Sequence, residues 1–490
     1  MKKLVLAVID SLKPEMLERA IDTGRAPALK ALVERGVYIR DCVSSFPSVT
    51  PVASASITTG LGPDRHQIPS MNWYHRGEER YVEYGSSFAA TRTFGIVRSL
   101  YDTVYNMNLA HLSRAERTVF ETVEDAGFRA ACTTYLIFRG RHRHEADEAG
   151  PYTRIAKAAQ FRHAVWGPTE LFYADLFASR KTDCRSTLGM PGQRDRHSGC
   201  VAAHLVEEDL FDFMLLSLPD NDTHSHRYGP YAQTSSIVEA DRAIERMMHA
   251  GGGIDTFLDD HAVIVLSDHS QTPIEHSINL AAQLDHRSVL MPDGDPRDAD
   301  IAVCPSARSA MVYVLDPGQG DEAPGIARDL CQVEGVDLVA RLADGEAVVQ
   351  SSRGPELRFQ PDGELADLRG AHWSIEGSPE TLALKISEGR AWSDEYPDAL
   401  ARLWSALQCP RAGDVLVSAT PGYEFVDWGG AHHVGGGSHG ALHRVDSLGA
   451  LVMCGTGPGS ASERMQWTIR DAVPVIADHF GIQRPAQPAG

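Results

Sequence analysis

The sequence has no apolar run near the roughly 18 residues that a membrane-spanning helix requires. Its longest apolar stretches are strand-sized, as at residues 262–266. It also lacks any Cys-x-x-Cys spacing: the eight cysteines, at 42, 132, 184, 200, 304, 331, 409 and 454, are scattered. Neither a zinc–thiolate site nor a disulfide framework is therefore expected. The cysteines read as reduced, mostly buried small hydrophobes of a cytoplasmic protein. Positive charge is scarce. Lys plus Arg number 46 against 66 Asp plus Glu, a formal net charge of −20. Such a balance argues against a nucleic-acid polymer as partner, which calls for a basic surface. Internal repeats and low-complexity tracts are missing too. What is present is ordinary globular material, 43% hydrophobic and 23% charged over 490 residues. That composition does not fit disorder, collagen or coiled coil, and the length suggests about two to three domains.

The opening MKKLVLAVID places two lysines before an apolar run, as an export signal does. The run is too short for that, and Asp10, Lys13 and Glu15 interrupt it. Residues 3–9 read instead as a strand buried on both faces. Helix over 14–35 with a break near Pro27, and strand over 37–44, follow. Ser113-Arg-Ala-Glu116 has the form of a capping box opening a helix that ends before Gly127. Strands are expected at 128–138, 211–218 and 261–267, with helix 235–250 between the last two. This βαβα rhythm argues for a parallel sheet covered by helices on both faces.

The texture changes near residue 307. Short strands at 309–315, 335–342, 346–351 and 356–360 surround one helix, 323–333, with turn signals at Asp316-Pro-Gly and Pro361-Asp-Gly. The expected division is a core of 1–306 plus 411–490 and an inserted α+β cap over 307–410. The doubly wound pattern would return at 414–418 and 450–454, followed by a last helix over 467–480 and a frayed tail after Gln483.

Candidate chemistry gathers at strand ends. Asp10 follows the first strand, Asp222 and His226 follow the strand ending at 218, and Asp268 and His269 follow the one ending at 267. His439 sits in Gly435-Gly-Gly-Ser-His-Gly440, a flexible loop. Ligand sites of doubly wound sheets form at the carboxyl ends of the strands, and three Asp with three His suit zinc or a similar divalent ion. Taken singly, each Asp is equally readable as a turn or cap residue and each His as a surface residue. Thr50, before Pro51, is a natural N-cap. A hydroxyl at a positive helix end beside a divalent metal can also become an alkoxide nucleophile.

Four stretches together resemble the type I phosphodiesterase and nucleotide pyrophosphatase branch of the alkaline phosphatase superfamily. They are Val8-Ile-Asp10; Phe46-Pro-Ser-Val-Thr50 with Thr59-Gly-Leu-Gly-Pro-Asp-Arg-His66; Asp222-Thr-His-Ser-His226-Arg-Tyr-Gly-Pro230 with Ser267-Asp268-His269; and Gly437-Ser-His439-Gly440 with Gly455-Thr-Gly-Pro458. The resemblance implies an alkaline-phosphatase-like α/β fold, a central mostly parallel sheet between helices with a small α+β cap. It implies two divalent ions, zinc first. Asp10, Thr50, Asp268 and His269 would surround one, and Asp222, His226 and His439 the other. Asn72 would match the family asparagine that donates to a phosphoryl oxygen.

Departures from the family pattern bear on substrate: Pro51-Val-Ala53-Ser54 follows the threonine, Gln67 follows His66, and Ser225 precedes His226. Asp220 and His224 repeat the i, i+4 spacing, but Asp222 and His226 bring Tyr228-Gly229-Pro230 into the family register. The implied activity is hydrolysis of a phosphodiester or nucleotide pyrophosphate in a small phosphorylated substrate, through a phospho-threonine on Thr50. Phosphonate hydrolysis (phosphonoacetate-like), phosphomonoester hydrolysis and a silent metal- or ligand-binding role are the rivals. Outside the resemblance, Arg139, Arg141 and Arg143 form a basic loop in an acidic chain. It is either solvated surface or a clamp for a remote phosphate or carboxylate.

Overall fold

The computed structural model describes residues 1–146, 163–174, 176–186, 190–315, 322–458 and 464–483. The turn expected at Asp316 and the tail after Gln483 lie outside them. Lys3–Ile9 is the centre of an eight-stranded sheet. Phe213–Leu218 and His261–Leu266 flank it in parallel. Ala130–Thr133 and Glu170–Tyr173 extend the parallel run on one side. On the other side Leu448–Cys454 runs antiparallel to His261–Leu266 and to the edge strand Val37–Val43. Apart from Lys3, Ser217 and His261 the three central strands are apolar, because both faces are covered. Leu4, Leu6 and Val8 pack toward Val119, Phe120 and Ile476, while Val5, Ala7 and Ile9 pack toward Leu17, Ile237 and Ile244. One sheet thus divides two cores, and its parallel strands deliver their carboxyl ends to a single edge.

A second sheet runs in the order Ile301–Ser306, Ser309–Val314, Val415–Ala419, Val336–Ala343, Glu346–Ser351, Gly354–Ala366, Arg390–Trp392, Lys385–Ser387, with His372–Gly377 paired to Gly354–Ala366. It overruns the expected 307–410 span at both ends. The strand expected to resume the doubly wound pattern at 414–418 is instead Val415–Ala419, inserted antiparallel between Ser309–Val314 and Val336–Ala343. An apolar run of that length fits either sheet, and only the long-range pairing decides.

Three local expectations shift. The helix before Gly127 is Val119–Asp125, capped by a box of Thr118 and Glu121 rather than Ser113 and Glu116. Both tetrads fit the pattern, but only the second is followed by residues placed to bury Val119, Phe120 and Val123 on one face. The strand foreseen over 128–138 stops at Thr133. Beyond it Phe138 and Arg139 donate their backbone N–H groups to Asn108 Oδ1 instead of a neighbouring strand. The last helix is divided into a 3₁₀ turn, Ile469–Asp471, and Ala472–His479.

The cysteine expectation fails at one pair: Cys184 and Cys200 form a disulfide with Cα atoms 5.7 Å apart. The other six are free, five of them buried. Spacing alone gave no sign of the bridge, because neither cysteine belongs to a recurrent pattern. No helix among the described residues is long and apolar enough to cross a membrane.

Candidate active site

Asp10 ends the first strand, its backbone N–H still bonded to Leu218 O at 3.1 Å. Ser11 then turns the chain with a left-handed backbone, φ 59°, a conformation that costs an L side chain about 1–3 kcal/mol and gathers at functional sites. The turn carries three contacts. Ser11 N–H donates to Asp268 Oδ1 at 3.1 Å, its hydroxyl donates to Asp222 Oδ1 at 2.7 Å, and the same hydroxyl lies 3.1 Å from His269 Nδ1. One serine therefore touches carboxylates from two other segments, the helix Asp220–Tyr228 and the turn after His261–Leu266.

Around it the donors form two overlapping groups. Asp10, Asp268 and His269 make the first, and Asp222, His269 and His439 the second. His269 Nε2 is 3.6 Å from Asp10 Oδ1, 3.4 Å from Asp268 Oδ2 and 3.2 Å from Thr50 Oγ1. Asp222 reaches His226 Nε2 at 3.3 Å with one oxygen and His439 Nε2 at 3.6 Å with the other. All seven residues expected to surround cations therefore converge, and the alternative pair does not. Asp220 accepts from Gly192 N–H and Arg194, and His224 Nε2 lies 3.1 Å from Ala232 O, both away from the cluster. The i, i+4 spacing of Asp222 and His226 on helix Asp220–Tyr228 puts both on its inner face.

The histidines are oriented from behind. His226 Nδ1 lies 2.8 Å from Gly437 O, His439 Nδ1 2.8 Å from Ser48 O, and His269 Nδ1 3.2 Å from Ser270 O. A carbonyl can only accept, so each Nδ1 carries a proton, and each Nε2 is turned toward the carboxylates. The glycines before His439 serve close approach rather than the flexibility expected. A Cβ on Gly436 would sit 1.9 Å from His226 O, and one on Gly437 2.6 Å from Gln271 Oε1.

Burial, reinforced by the charges of Asp268 and Asp222, pushes the Asp10 carboxyl well above its ordinary value. Burial raises Asp268 as well. It also weighs on Asp222, but His226, His439 and His269 outweigh it and hold that carboxyl well below its usual range. Burial pulls His226 down, and Asp222 outweighs it in turn, holding the ring above its usual value. Burial, with His269 beside it, depresses His439.

This donor set fits divalent cations. Asp10 Oδ1 is buried with no hydrogen-bond partner, and carboxylate oxygens and imidazole Nε2 atoms face one another across gaps of 3.3–3.6 Å. Such a convergence of acceptors is costly until a positive charge lies among them.

Thr50 is the first residue of helix Thr50–Thr59 rather than its cap. Val49 occupies the cap position and supplies no side-chain bond. The first-turn amides are therefore left without a side-chain acceptor, and the half-buried hydroxyl faces His269.

Asn72 is not offered to the cluster. It lies buried in the strand Asn72–His75, and its Nδ2 spends both hydrogens on Val82 O and Glu83 Oε2, each at 3.1 Å. The arginine loop is no anion clamp either. Buried Arg139 donates to Leu112 O, Ser113 O and Glu116 O and pairs with Glu121. Arg141 pairs with Asp125 and Glu121, and Arg143 with Glu145. In an acidic chain, internal carboxylates have claimed these cations.

Sequence reasoning passed over Ser11, and over Gln271, whose Nε2 donates to Asp222 Oδ1. It also passed over His433, stacked on His226 with centroids 4.1 Å apart and held by buried Glu424, Oε2 to Nδ1 3.0 Å. Ser11 and Gln271 stand one residue after Asp10 and two after His269, the only hint the sequence holds of either.

A parallel sheet whose carboxyl edge gathers Asp, His and a helix-terminal Thr has the form of a metal-dependent hydrolase site. Residues 4–442 match the family described as type I phosphodiesterase / nucleotide pyrophosphatase, and the chain belongs to it. It is accordingly a hydrolase with an alkaline-phosphatase-like fold, of a metal-dependent family that cleaves phosphodiester or pyrophosphate bonds in small molecules. No individual curated protein matches it.

Proposed function

We propose that the protein hydrolyses a small phosphodiester or nucleotide pyrophosphate through a phospho-threonine on Thr50, with two divalent cations, zinc by preference. Asp10, Thr50, Asp268 and His269 would hold one ion, and Asp222, His226 and His439 the other. The observation that carries this reading is the common orientation of three imidazoles, Nδ1 on a backbone carbonyl and Nε2 toward Asp222 or Asp268. When bound, the ions supply positive charge that lowers the pKa of coordinated hydroxyls and neutralises charge on phosphoryl oxygens.

The chain's own residues do the rest. Thr50 stands at the amino end of a ten-residue helix, where partly positive amides favour a phosphoryl group. Its Oγ1 forms the new bond to phosphorus while the leaving oxygen departs on the opposite side. Water then cleaves the phospho-threonine and restores the hydroxyl. Ser11 and Gln271 hold Asp222, so the carboxylate keeps its place through both steps. Ser44 donates to the backbone carbonyl of Asp268 at 2.6 Å and ties the loop preceding Thr50 to the segment that carries this carboxylate.

The test is a panel of a chromogenic diester, a dinucleotide, a phosphonate and a monoester, assayed with zinc-loaded protein. Diester or dinucleotide turnover should exceed the others. Preference for the phosphonate or the monoester would replace the substrate assignment, and no turnover of any member would overturn the activity.

A further inference from the structure

His269 and His439 stack with ring centroids 3.7 Å apart, although 170 positions of chain numbering separate them (439 − 269). Beside them lies an ion pair whose side chains bond neither Thr50 nor any side chain of the acceptor cluster. Arg308 and Asp446 are paired with both side chains fully buried. Arg308 sits on the turn joining Ile301–Ser306 to Ser309–Val314 in the second sheet. Its guanidinium donates to Tyr423 O at 2.9 Å, to Ala419 O at 3.1 Å and to Asp446 Oδ1, and its backbone N–H donates to His439 O at 2.9 Å. Asp446 Oδ2 accepts from Ala441 N–H at 2.8 Å, and its backbone carbonyl accepts from Ser270 N–H at 2.7 Å.

The pair thus grips the chain at His439 itself, two residues beyond it, and one residue beyond His269. A buried ion pair is poor at stabilising a fold compared with well-packed apolar residues. It does provide directional hydrogen bonds that apolar residues cannot. We propose that Arg308 and Asp446 are positioning residues: anchored in the second sheet, they set the placement of His439 relative to His269, and through it the spacing of the two cation sites. The inference rests on the reading of these histidines as ligands.

The variants are Asp446→Asn, Arg308→Lys, which keeps the charge but not the planar fork, and the double variant Arg308→Met with Asp446→Leu. Zinc affinity is measured by competition with a chromogenic chelator, beside melting temperature and diester turnover. Wild type should bind two ions. Each variant should bind at least one of them ~10–100-fold more weakly, the range seen when outer partners of metal ligands are lost. The double variant should regain much of the melting temperature that Asp446→Asn loses, without regaining affinity, which separates positioning from stability. Should Asp446→Asn fail to fold, Arg308→Lys and the double variant decide on the same two readouts. Variants that bind both ions as tightly as wild type and turn over normally would overturn the inference alone. A wild type that binds no divalent ion would remove the ligand reading and the inference with it.

Discussion

Thr50 Oγ1 lies 3.2 Å from His269 Nε2, and the same nitrogen is within 3.6 Å of Asp10 and Asp268. The hydroxyl is therefore held against His269, which is fully buried, at a helix end whose dipole favours the phosphoryl group it would meet.

Removing that hydroxyl tests the covalent step. Thr50→Ala should leave the melting temperature within about a degree or two of wild type, since Thr50 makes no cap bond and surface-type substitutions cost little. Turnover of a diester should fall by at least ~10³-fold, as when a nucleophile is deleted elsewhere. Thr50→Ser should keep measurable activity, and acid-quenched wild type should carry a phosphoryl mass on the peptide containing Thr50. An alanine variant with undiminished turnover would mean that water attacks directly.

Cation binding should be proton-linked. Without a cation, burial raises both Asp10 and Asp268, so each keeps a proton to a higher pH than an exposed aspartate does. A divalent ion must displace those protons, and affinity should rise with pH. Competition titrations should show zinc bound at least ~10-fold more weakly at pH 5.5 than at pH 8, a difference that shrinks in Asp10→Asn. Chelation should abolish turnover, and replacing zinc should restore it. Equal affinity at both pH values would argue against carboxylate ligands with raised pKa values.

The candidate site was legible because its residues are local to strand ends. Asp10, Asp222, Asp268 and His269 each follow an apolar run, and a parallel sheet brings such ends together whatever the intervening chain does. The same reasoning misplaced Val415–Ala419, because an apolar strand carries no mark of which sheet it joins. It took a capping tetrad five residues too early, and did not foresee that Asn72 would spend its amide on Val82 and Glu83. Arg139 shows the limit most clearly: its partners lie 18–27 positions away, and a charge whose partner is set by tertiary folding looks free in one dimension. Ser11 was missed for a related reason. A serine after an aspartate is commonplace, and only the left-handed turn, with strands from elsewhere around it, gives this one its contacts.

Asp195 should make stability pH-dependent. Burial, with Asp220 beside it, pushes its carboxyl up to about 8. Its Oδ1 accepts from Asp220 N–H at 3.0 Å, at the start of the helix that carries Asp222 and His226. A folded value above the unfolded one means the fold retains the proton. The contribution is fully present below about pH 4 and is lost as pH rises through about 8. The slope from one such group is at most about 1.4 kcal/mol per pH unit. Denaturant titrations of cation-free protein at several pH values should show stability falling over this window. Asp195→Asn, which keeps the acceptor but cannot ionise, should flatten the curve. A slope unchanged in the variant would assign the effect to other groups.

Arg139 should matter to folding and not to substrate. Its guanidinium satisfies the carbonyls of Leu112, Ser113 and Glu116 and pairs with buried Glu121. Arg139→Ala takes a donor from each of those carbonyls and leaves Glu121 with only Thr118 N–H and Arg141, which costs about 3 kcal/mol, the lower end for a buried pair that loses one member. Arg141, more exposed and paired with Asp125, should cost no more than about 1 kcal/mol on replacement by alanine. Neither change should alter KM, whether the diester has a neutral tail or a second anionic group, because each guanidinium is already held by carboxylates or carbonyls of the chain. Denaturation midpoints and KM for both substrates, measured on each variant, separate the possibilities. A KM raised only for the doubly anionic substrate would restore the loop as a clamp and show that these ion pairs open when substrate binds.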